Sequence, residues 1–242
     1  MLYLDNTTFK KTMEYLGAIW DIIFPKKCIN CGRERQYLCE DCLSLIPINP
    51  FVYCLCEKME KRNKCDNCKD KYLDKILSAT DFNNKIAKEA IHKLKYGYLE
   101  DLSIPLALLI LNHLKTIDCQ IDNSFVIVPV PMHIKKKKRR GFNQSEEIAK
   151  LISESTGIPL STTLIKTKET KPQMELSRAE RIINIKNCFE VKDKKEVENK
   201  IILLLDDVYT TGTTMNECAK VLKENKAKEV WGLTIAREIQ LG

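Results

Sequence analysis

Two adjacent carboxylates, Asp206 and Asp207, are followed after two residues by Thr210-Thr211-Gly212-Thr213-Thr214, the densest ligand chemistry in the chain. They come straight after the apolar run at 201–205, which is too short for a lone helix and suits a strand buried on both faces of a parallel sheet. Met215, Cys218, Ala219 and Leu222 then recur at helical spacing. The pattern predicts acids just past the carboxyl end of a central strand, where open α/β sheets bind ligands. It also predicts a phosphate site in the loop of backbone N–H groups ahead of the helix. Gly212 allows a close backbone approach, and the threonines add hydroxyl donors. Carboxylates beside a phosphate repel it unless they serve another part of the ligand, such as ribose hydroxyls or a Mg²⁺ ion. A Walker-type nucleotide triphosphatase is excluded, because the 8 glycines form neither G-x-x-x-x-G-K-[ST] nor G-x-G-x-x-G.

Metal chemistry is concentrated elsewhere. Of the 11 cysteines, most fall between positions 28 and 68. Cys28-x-x-Cys31 and Cys39-x-x-Cys42 are two knuckles that let four thiolates converge on one Zn²⁺, with Gly32 relaxing the first. Cys54-x-Cys56 and Cys65-x-x-Cys68 form a second set with one tighter spacing. Two sequential four-cysteine sites are the first expectation; one site with the other cysteines free, or interleaved pairing, stays open. A segment of about forty residues has too little core to fold alone, so the zinc, one ion or two, is read as structural. None of the 3 histidines lies in this segment, whereas a catalytic zinc usually keeps a His ligand and an open position.

The elements that must position these groups follow from periodicity. Phe9, Met13, Leu16, Trp20, Ile23 and Phe24 predict an amphipathic helix ending before Pro25. The expected organisation is this helix over 1–27, a cysteine module over 28–70 and an α/β domain over 71–242. Strands are predicted at 76–82, 125–128, 164–165, 189–191 and 230–235 as well as 201–205. A helix capped near Asn84 runs to Gly97, carrying Lys93 and Lys95 either on a solvated face or toward a phosphate. Others run from Asp101 to about Leu114, with Pro105 in the first turn, and from near Ile148 to Gly157. Ser177-Arg178-Ala179-Glu180 is a capping box that starts a helix bearing Arg178 and Arg181.

The 242 residues, 44% hydrophobic, suffice for one α/β domain and a small module. A net charge of +7 permits an anionic ligand or nucleic acid without demanding either. The charge is unevenly placed: 135–140 is an unbroken run of lysine and arginine with no acid until Glu146. Closed by Gly141 and following a strand and Pro129-Val-Pro131, it reads as a basic loop on the same sheet edge as Asp206. No run approaches the roughly twenty apolar residues of a membrane span. Residues 13–24 are interrupted by Glu14 and Asp21, with no small-residue cleavage site after them, and a cytoplasmic protein is expected.

In this order the pieces resemble a known family over nearly the whole chain. They are the cysteine module, His92-Lys93-Leu94-Lys95-Tyr96, Arg139-Arg140-Gly141-Phe142-Asn143-Gln144-Ser145, and Leu205-Asp206-Asp207-Val208-Tyr209 with its threonine loop. The last resembles the 5-phosphoribosyl-1-pyrophosphate (PRPP) motif of type I phosphoribosyltransferases; the set resembles the ComF family of competence proteins. Arg140-Gly141-Phe142-Asn143-Gln144 is the most discriminating piece, since type I phosphoribosyltransferases in general lack it. The resemblance implies a type I phosphoribosyltransferase fold, a central mainly parallel sheet with flanking helices, joined to a zinc ribbon. It also implies an association with DNA uptake during natural transformation. It assigns Asp206 and Asp207 to the ribose 2′ and 3′ hydroxyls as the catalytic acids, and Thr210, Thr211, Gly212, Thr213 and Thr214 to the 5′-phosphate. Lys93, Lys95, Lys138, Arg139, Arg140 and Asn143 fall on the pyrophosphate or DNA side, and Mg²⁺ accompanies PRPP. Residues 171–187 take the place of the catalytic loop that closes over substrate, with Gln173, Arg178 and Arg181 as its candidates.

One departure stands out. Thr210 occupies the place where purine-salvage members of the superfamily carry an aspartate as general base, and a hydroxyl with no activating partner is a poor base at neutral pH. Three functions compete. One is a DNA-uptake protein that binds PRPP or a related sugar phosphate and, through its basic run, single-stranded DNA. Another is an active phosphoribosyltransferase acting on a base or amine. The third is an adaptor whose cysteine module captures a DNA-uptake helicase or other competence protein. Phe142 is the only aromatic near the basic run, so DNA contacts are expected to be mainly to the backbone.

Overall fold

The computed structural model describes residues 25–54, 68, 71–170 and 178–238; the helix predicted over 9–24 and the loop at 171–177 lie outside the described residues. In chain order the elements are α1 (Glu40–Ser44), β1 (Val52–Tyr53), β2 (Lys75–Asp81), α2 (Lys85–Tyr96), α3 (Ser103–Thr116), β3 (Phe125–Pro129), α4 (Ile134–Arg140) and α5 (Gln144–Thr156). After these come β4 (Leu164–Lys166), α6 (Arg178–Ile185), β5 (Phe189–Val191), β6 (Ile201–Tyr209), α7 (Thr213–Glu224) and β7 (Glu229–Arg237).

An apolar run such as Ile201–Leu205 needs cover on both faces, and β6 obtains it between β7 and β3 in a sheet of order β1-β2-β7-β6-β3. The β2–β7, β7–β6 and β6–β3 pairs are parallel; the short β1 is added antiparallel at the edge. Alternation sorts the side chains of β6. Leu203 and Leu205 join α2, α3 and α5 in one core cluster, with Ile91, Leu94, Leu106, Ile110, Ile148 and Ile152. Ile202 and Leu204 join Met215, Cys218, Ala219 and Leu222 of α7 on the other face, flanked by the antiparallel β4–β5 pair. Each fully buried Leu or Ile contributes roughly 1.5–3 kcal/mol, so this layer is the main source of stability.

β6 is longer than the apolar run predicts. Pairing with β7 continues through Asp206↔Thr234, Val208↔Ala236 and Tyr209↔Arg237, so both acids lie within the strand's final turns instead of beyond its end. The basic run also differs from expectation, being the helix α4 and not a loop. Lysine and arginine are good helix formers, and two of the cations are offset by carboxylates, Lys135–Glu169 at 2.8 Å and Lys137–Glu146 at 2.6 Å. Gly141, at φ +92°, ends this helix and lets α5 start at a new angle.

The cysteine-bearing segment shares the main core. Leu38, Cys39, Cys42 and Ile46 are buried in the same cluster as α2 and α3. A strap over 47–53 is pinned across β2 by Asn49. Its N–H donates to the Ala79 carbonyl, its amide nitrogen to the Ser78 carbonyl, and its side-chain oxygen accepts from Phe51 N and the Tyr53 hydroxyl. No helix among the described residues is long and apolar enough to cross a membrane.

Candidate functional site

The last residues of β6 gather the polar chemistry. Asp207 is buried and turned toward α2 and α5. Lys95 reaches it from the last turn of α2, Nζ to Oδ1 at 2.7 Å. Gln144, the first residue of α5, donates its amide to Oδ2 at 2.7 Å, and Arg140 donates to Gln144 Oε1 at 2.6 Å. Burial opposes the Lys95 charge, but attraction to Asp207 and then Asp206 overrides it and holds the ammonium pKa above its ordinary value.

Asp206 has a different environment. Its Oδ1 accepts from the Asp207 N–H at 2.9 Å and from the Ser145 hydroxyl at 3.3 Å. Burial and then the neighbouring Asp207 charge push its pKa from 3.8 up to about 7, against the pull of Lys95 and these two hydrogen bonds. The two acids therefore differ in their partners: Asp207 is paired with Lys95 and Gln144, whereas burial and the neighbouring carboxylate raise the Asp206 pKa above the ordinary carboxylate range.

The chain then enters the threonine loop. Gly212 is left-handed at φ +68°, and a Cβ there would lie 2.4 Å from the Tyr209 hydroxyl oxygen, so both torsion and space require glycine. Thr210, Thr211, Thr213 and Thr214 are all half-buried around this turn, with the Thr211 and Thr213 hydroxyls 2.9 Å apart. Met215 is buried behind them, so the first-turn N–H groups of α7 open onto the same sheet edge as Asp206.

The structure separates the predicted cations. Lys95 and Arg140 are in the site, whereas Lys93 pairs with Glu89 on the exposed side of α2 at 3.7 Å. Lys138 and Arg139 face solvent on α4. Asn143 is buried and spends its side chain on the Val130 carbonyl and on capping α5. Arg178 and Arg181 lie on α6 with side chains outside the described residues, as Gln173 is altogether. Phe142, the one aromatic noted near the basic run, is buried in the core; Tyr96 and Tyr98 are exposed, with Arg140 5.5 Å from the Tyr96 centroid.

Sequence reasoning missed Gln144, Ser145, Lys136 and Lys166. Lys136 keeps solvent access, yet partial burial, then the charges of Arg140, Lys166 and Lys95, hold its pKa below the ordinary value. Burial likewise lowers Lys166, with Asp206 among the groups that oppose the shift. The signal for Lys136 was available: once the basic run is helical, positions 136 and 140 share a face at i, i+4. Nothing local in the sequence marks Lys166.

The metal-binding geometry is separate. The Sγ atoms of Cys28, Cys31, Cys39 and Cys42 all lie within 4.8 Å of one another, with Cys31 and Cys39 at 3.6 Å. Tetrahedral Zn²⁺ at about 2.3 Å from each sulfur requires edges of about 3.8 Å, so the cluster fits zinc. Cys54 and Cys68 approach to 3.3 Å and are buried, but Cys56 and Cys65 lie outside the described residues. For Mg²⁺ the oxygen donors suit a hard cation, yet both oxygens of Asp207 are engaged. The second oxygen of Asp206 is the carboxylate position left open among the described residues.

Comparison with known proteins finds relatives over most of the chain. The family described as "Phosphoribosyl transferase domain" matches residues 100–239. "Competence protein F" of Haemophilus influenzae is 29% identical over 228 residues, 88% of this chain and 98% of that protein. "DNA utilization protein YhgH" of Salmonella typhimurium is 28% identical over 215 residues, 85% of this chain and 87% of that protein. "Competence protein ComFC" of Bacillus subtilis is 33% identical over 117 residues, 48% of this chain and 46% of that protein.

Two outcomes are expected. Between about pH 4 and 7 the folded chain keeps the Asp206 proton that the unfolded chain loses, so this group withdraws stability as pH rises. Asp206→Asn removes that penalty: melting temperatures of variant and parent coincide near pH 4, and the variant's advantage grows up to pH 7 and levels off above it. For the cysteine cluster, metal analysis should find bound zinc, and Cys28→Ser with Cys31→Ser should remove it. Because Cys39 and Cys42 sit in the main core, melting should fall by at least about 5 °C in a single transition.

Proposed function

This chain belongs to the phosphoribosyl transferase domain family and, within it, to the ComF family, and on that footing we propose that it binds PRPP or a related sugar phosphate and handles single-stranded DNA in the cytoplasm during DNA uptake. The observation that carries the first part is an excess of positive charge around the two aspartates. Lys95, Lys136, Lys166 and Arg140 crowd two aspartates, and two of these lysines have depressed pKa values. Such crowding is costly unless an anion completes the site.

The 5′-phosphate sits in the threonine loop against the N-terminus of α7, and the ribose hydroxyls reach the aspartates. Pyrophosphate faces Lys136 and Lys166, with Lys95 shared between it and Asp207. Bound phosphate thus competes for Lys95 without removing it from Asp207, easing the pair so that the carboxylate also accepts from a ribose hydroxyl. Mg²⁺, held through Asp206 and ligand oxygens, supplies further neutralisation when bound. Gln144, Ser145 and Arg140 act as positioning residues, fixing the two carboxylates before the ligand arrives.

Lys138 and Arg139 have no ion pair among the described residues and project from α4 beside this site, which supports DNA contact there. A second reading, phosphoribosyl transfer to a base or amine, is favoured by the same cations, since they would stabilise leaving pyrophosphate. Thr210 leaves that reading without a general base in the loop.

Calorimetric titration with PRPP and Mg²⁺ checks the sugar-phosphate site. Lys95→Gln is expected to weaken binding at least about tenfold, the charge-assisted contact being worth roughly 1.5–3 kcal/mol, while Lys93→Gln leaves it unchanged. Equal loss in both variants would remove Lys95 from the site. For DNA, Lys138→Ala with Arg139→Ala should reduce the slope of log affinity against log salt by about 1.4 on a single-stranded oligonucleotide. An unchanged slope would take α4 out of the interface.

A further inference from the structure

Away from the ligand edge, a groove opens on the solvent side of the helical layer, between the start of α3 and the middle of α5. Ile104 and Leu151 give it apolar walls, and Glu100, Asp101, Glu147 and Glu154 an acidic rim. We propose that the amphipathic stretch 9–24 of this same chain docks in this groove, so that the segment ahead of the cysteine cluster packs on the α/β domain.

The groove presents an apolar face with no cover. Ile104 is 52% exposed and Leu108, one turn on, is 46% exposed, while Leu111 after them is half-buried. At i, i+4 and i+7 these three form a stripe along one side of α3, opposite Leu106 and Ile110, which enter the core. A surface helix ordinarily needs one apolar face, and α3 carries two. A second apolar stripe beside a groove marks a place where another element belongs.

The stretch itself lies outside the described residues, but the point where it joins them is at the mouth of the groove. Lys26 Nζ pairs at 2.5 Å with Asp101, a rim residue just ahead of α3. The residues before Pro25 are therefore delivered to the start of α3. As a helix the 16 residues of 9–24 extend about 24 Å, against about 21 Å for the 14 residues of α3. With its carboxyl end held at the start of α3, that helix runs back along α3 in the antiparallel sense, as neighbouring bundle helices do.

The side chains of the stretch match what the groove offers. Phe9, Met13, Leu16, Trp20, Ile23 and Phe24 share one side of a helix, and Glu14 and Asp21 fall on its other half, turned from the acidic rim. Within the rim Lys150 is taken up by Glu147 at 2.9 Å and Glu146 at 3.8 Å, whereas Glu100 and Glu154 have no ion pair among the described residues. Lys10 and Lys11, the cations of the stretch, stand at its far end from Asp101. An apolar stripe with cations beside it is complementary to apolar walls with an acidic rim.

The docking is independent of the sugar-phosphate site, and tryptophan emission tests it. The chain has 2 tryptophans, Trp20 in the stretch and Trp231 on β7. In the full-length protein carrying Trp231→Phe, Trp20 is the remaining indole. Its emission is expected to be blue-shifted from that of the urea-unfolded chain, with acrylamide quenching at least about threefold weaker, because a docked indole is shielded on one face. Adding Ile104→Asp with Leu108→Asp should raise the quenching at least about twofold, and Ile104→Ala with Leu108→Ala by less. Both residues are exposed, so the fold tolerates the changes, and circular dichroism checks that it does. Ile183→Asp, at an exposed apolar residue of α6, should leave Trp20 as it was. Shielding that is independent of protein concentration is the expected result. Shielding lost on dilution together with a dimer would mean that a second copy fills the groove, and would overturn the proposal. It is equally overturned if Trp20 is quenched as freely in the folded protein as in the unfolded chain, which leaves the groove to a separate partner, or if the folded Asp pair leaves Trp20 unchanged.

Discussion

The contact on which the rest of the site depends is the ion pair between Lys95 and Asp207. A buried carboxylate is tolerated only with a partner charge and hydrogen bonds on its remaining lone pairs, and removing one partner from such a pair costs about 3–5 kcal/mol. Meeting that demand fixes three elements at once. α2 must end where Lys95 reaches β6, α5 must begin where Gln144 covers the other oxygen, and α4 must deliver Arg140 to Gln144. The arrangement is self-consistent because those helices also bury their apolar faces against the same side of the sheet.

The stretch Arg140-Gly141-Phe142-Asn143-Gln144-Ser145 acquires a physical reading from this. Arg140 and Gln144 form the chain of donors to Asp207, and Ser145 donates to Asp206. Gly141 turns the backbone, Phe142 anchors the turn in the core, and Asn143 caps α5. The stretch on which the family resemblance leaned most is thus mostly a device for holding two carboxylates, with little of it left over to touch a ligand. Cations without an ion pair among the described residues stand to either side, Lys136 and Lys166 on the side of the acids, Lys166 donating to the Thr170 hydroxyl at 2.7 Å, and Lys138 and Arg139 in solvent.

Integration of the cysteine-bearing segment is the second organising constraint. Four converging thiols in a short segment supply little apolar burial, and here that deficit is met by the α2–α3 face instead of by a core of the segment's own. The strap that follows becomes an edge of the sheet through β1 and ends beside the ligand edge.

Much of this was legible in the chain. The central strand, the two acids and the glycine turn follow from an apolar run, a charge pair and a single glycine, features whose meaning is local, while the type I phosphoribosyltransferase fold was implied by the family resemblance. Knuckle spacing likewise determines Cys28, Cys31, Cys39 and Cys42, because ligands three residues apart must converge. What tertiary structure alone decided is which polar groups meet. Lys93 and Lys95 are equivalent as sequence, and only the rotation of α2 against β6 sends one to Asp207 and the other to Glu89. Lys166 adds its charge to Asp206 from a distant strand, and the acids differ because one faces Lys95 and Gln144 while the other lies half-buried beside a like charge. Local pattern encodes which face is buried; long-range packing decides which charges share it, and that sharing makes the site.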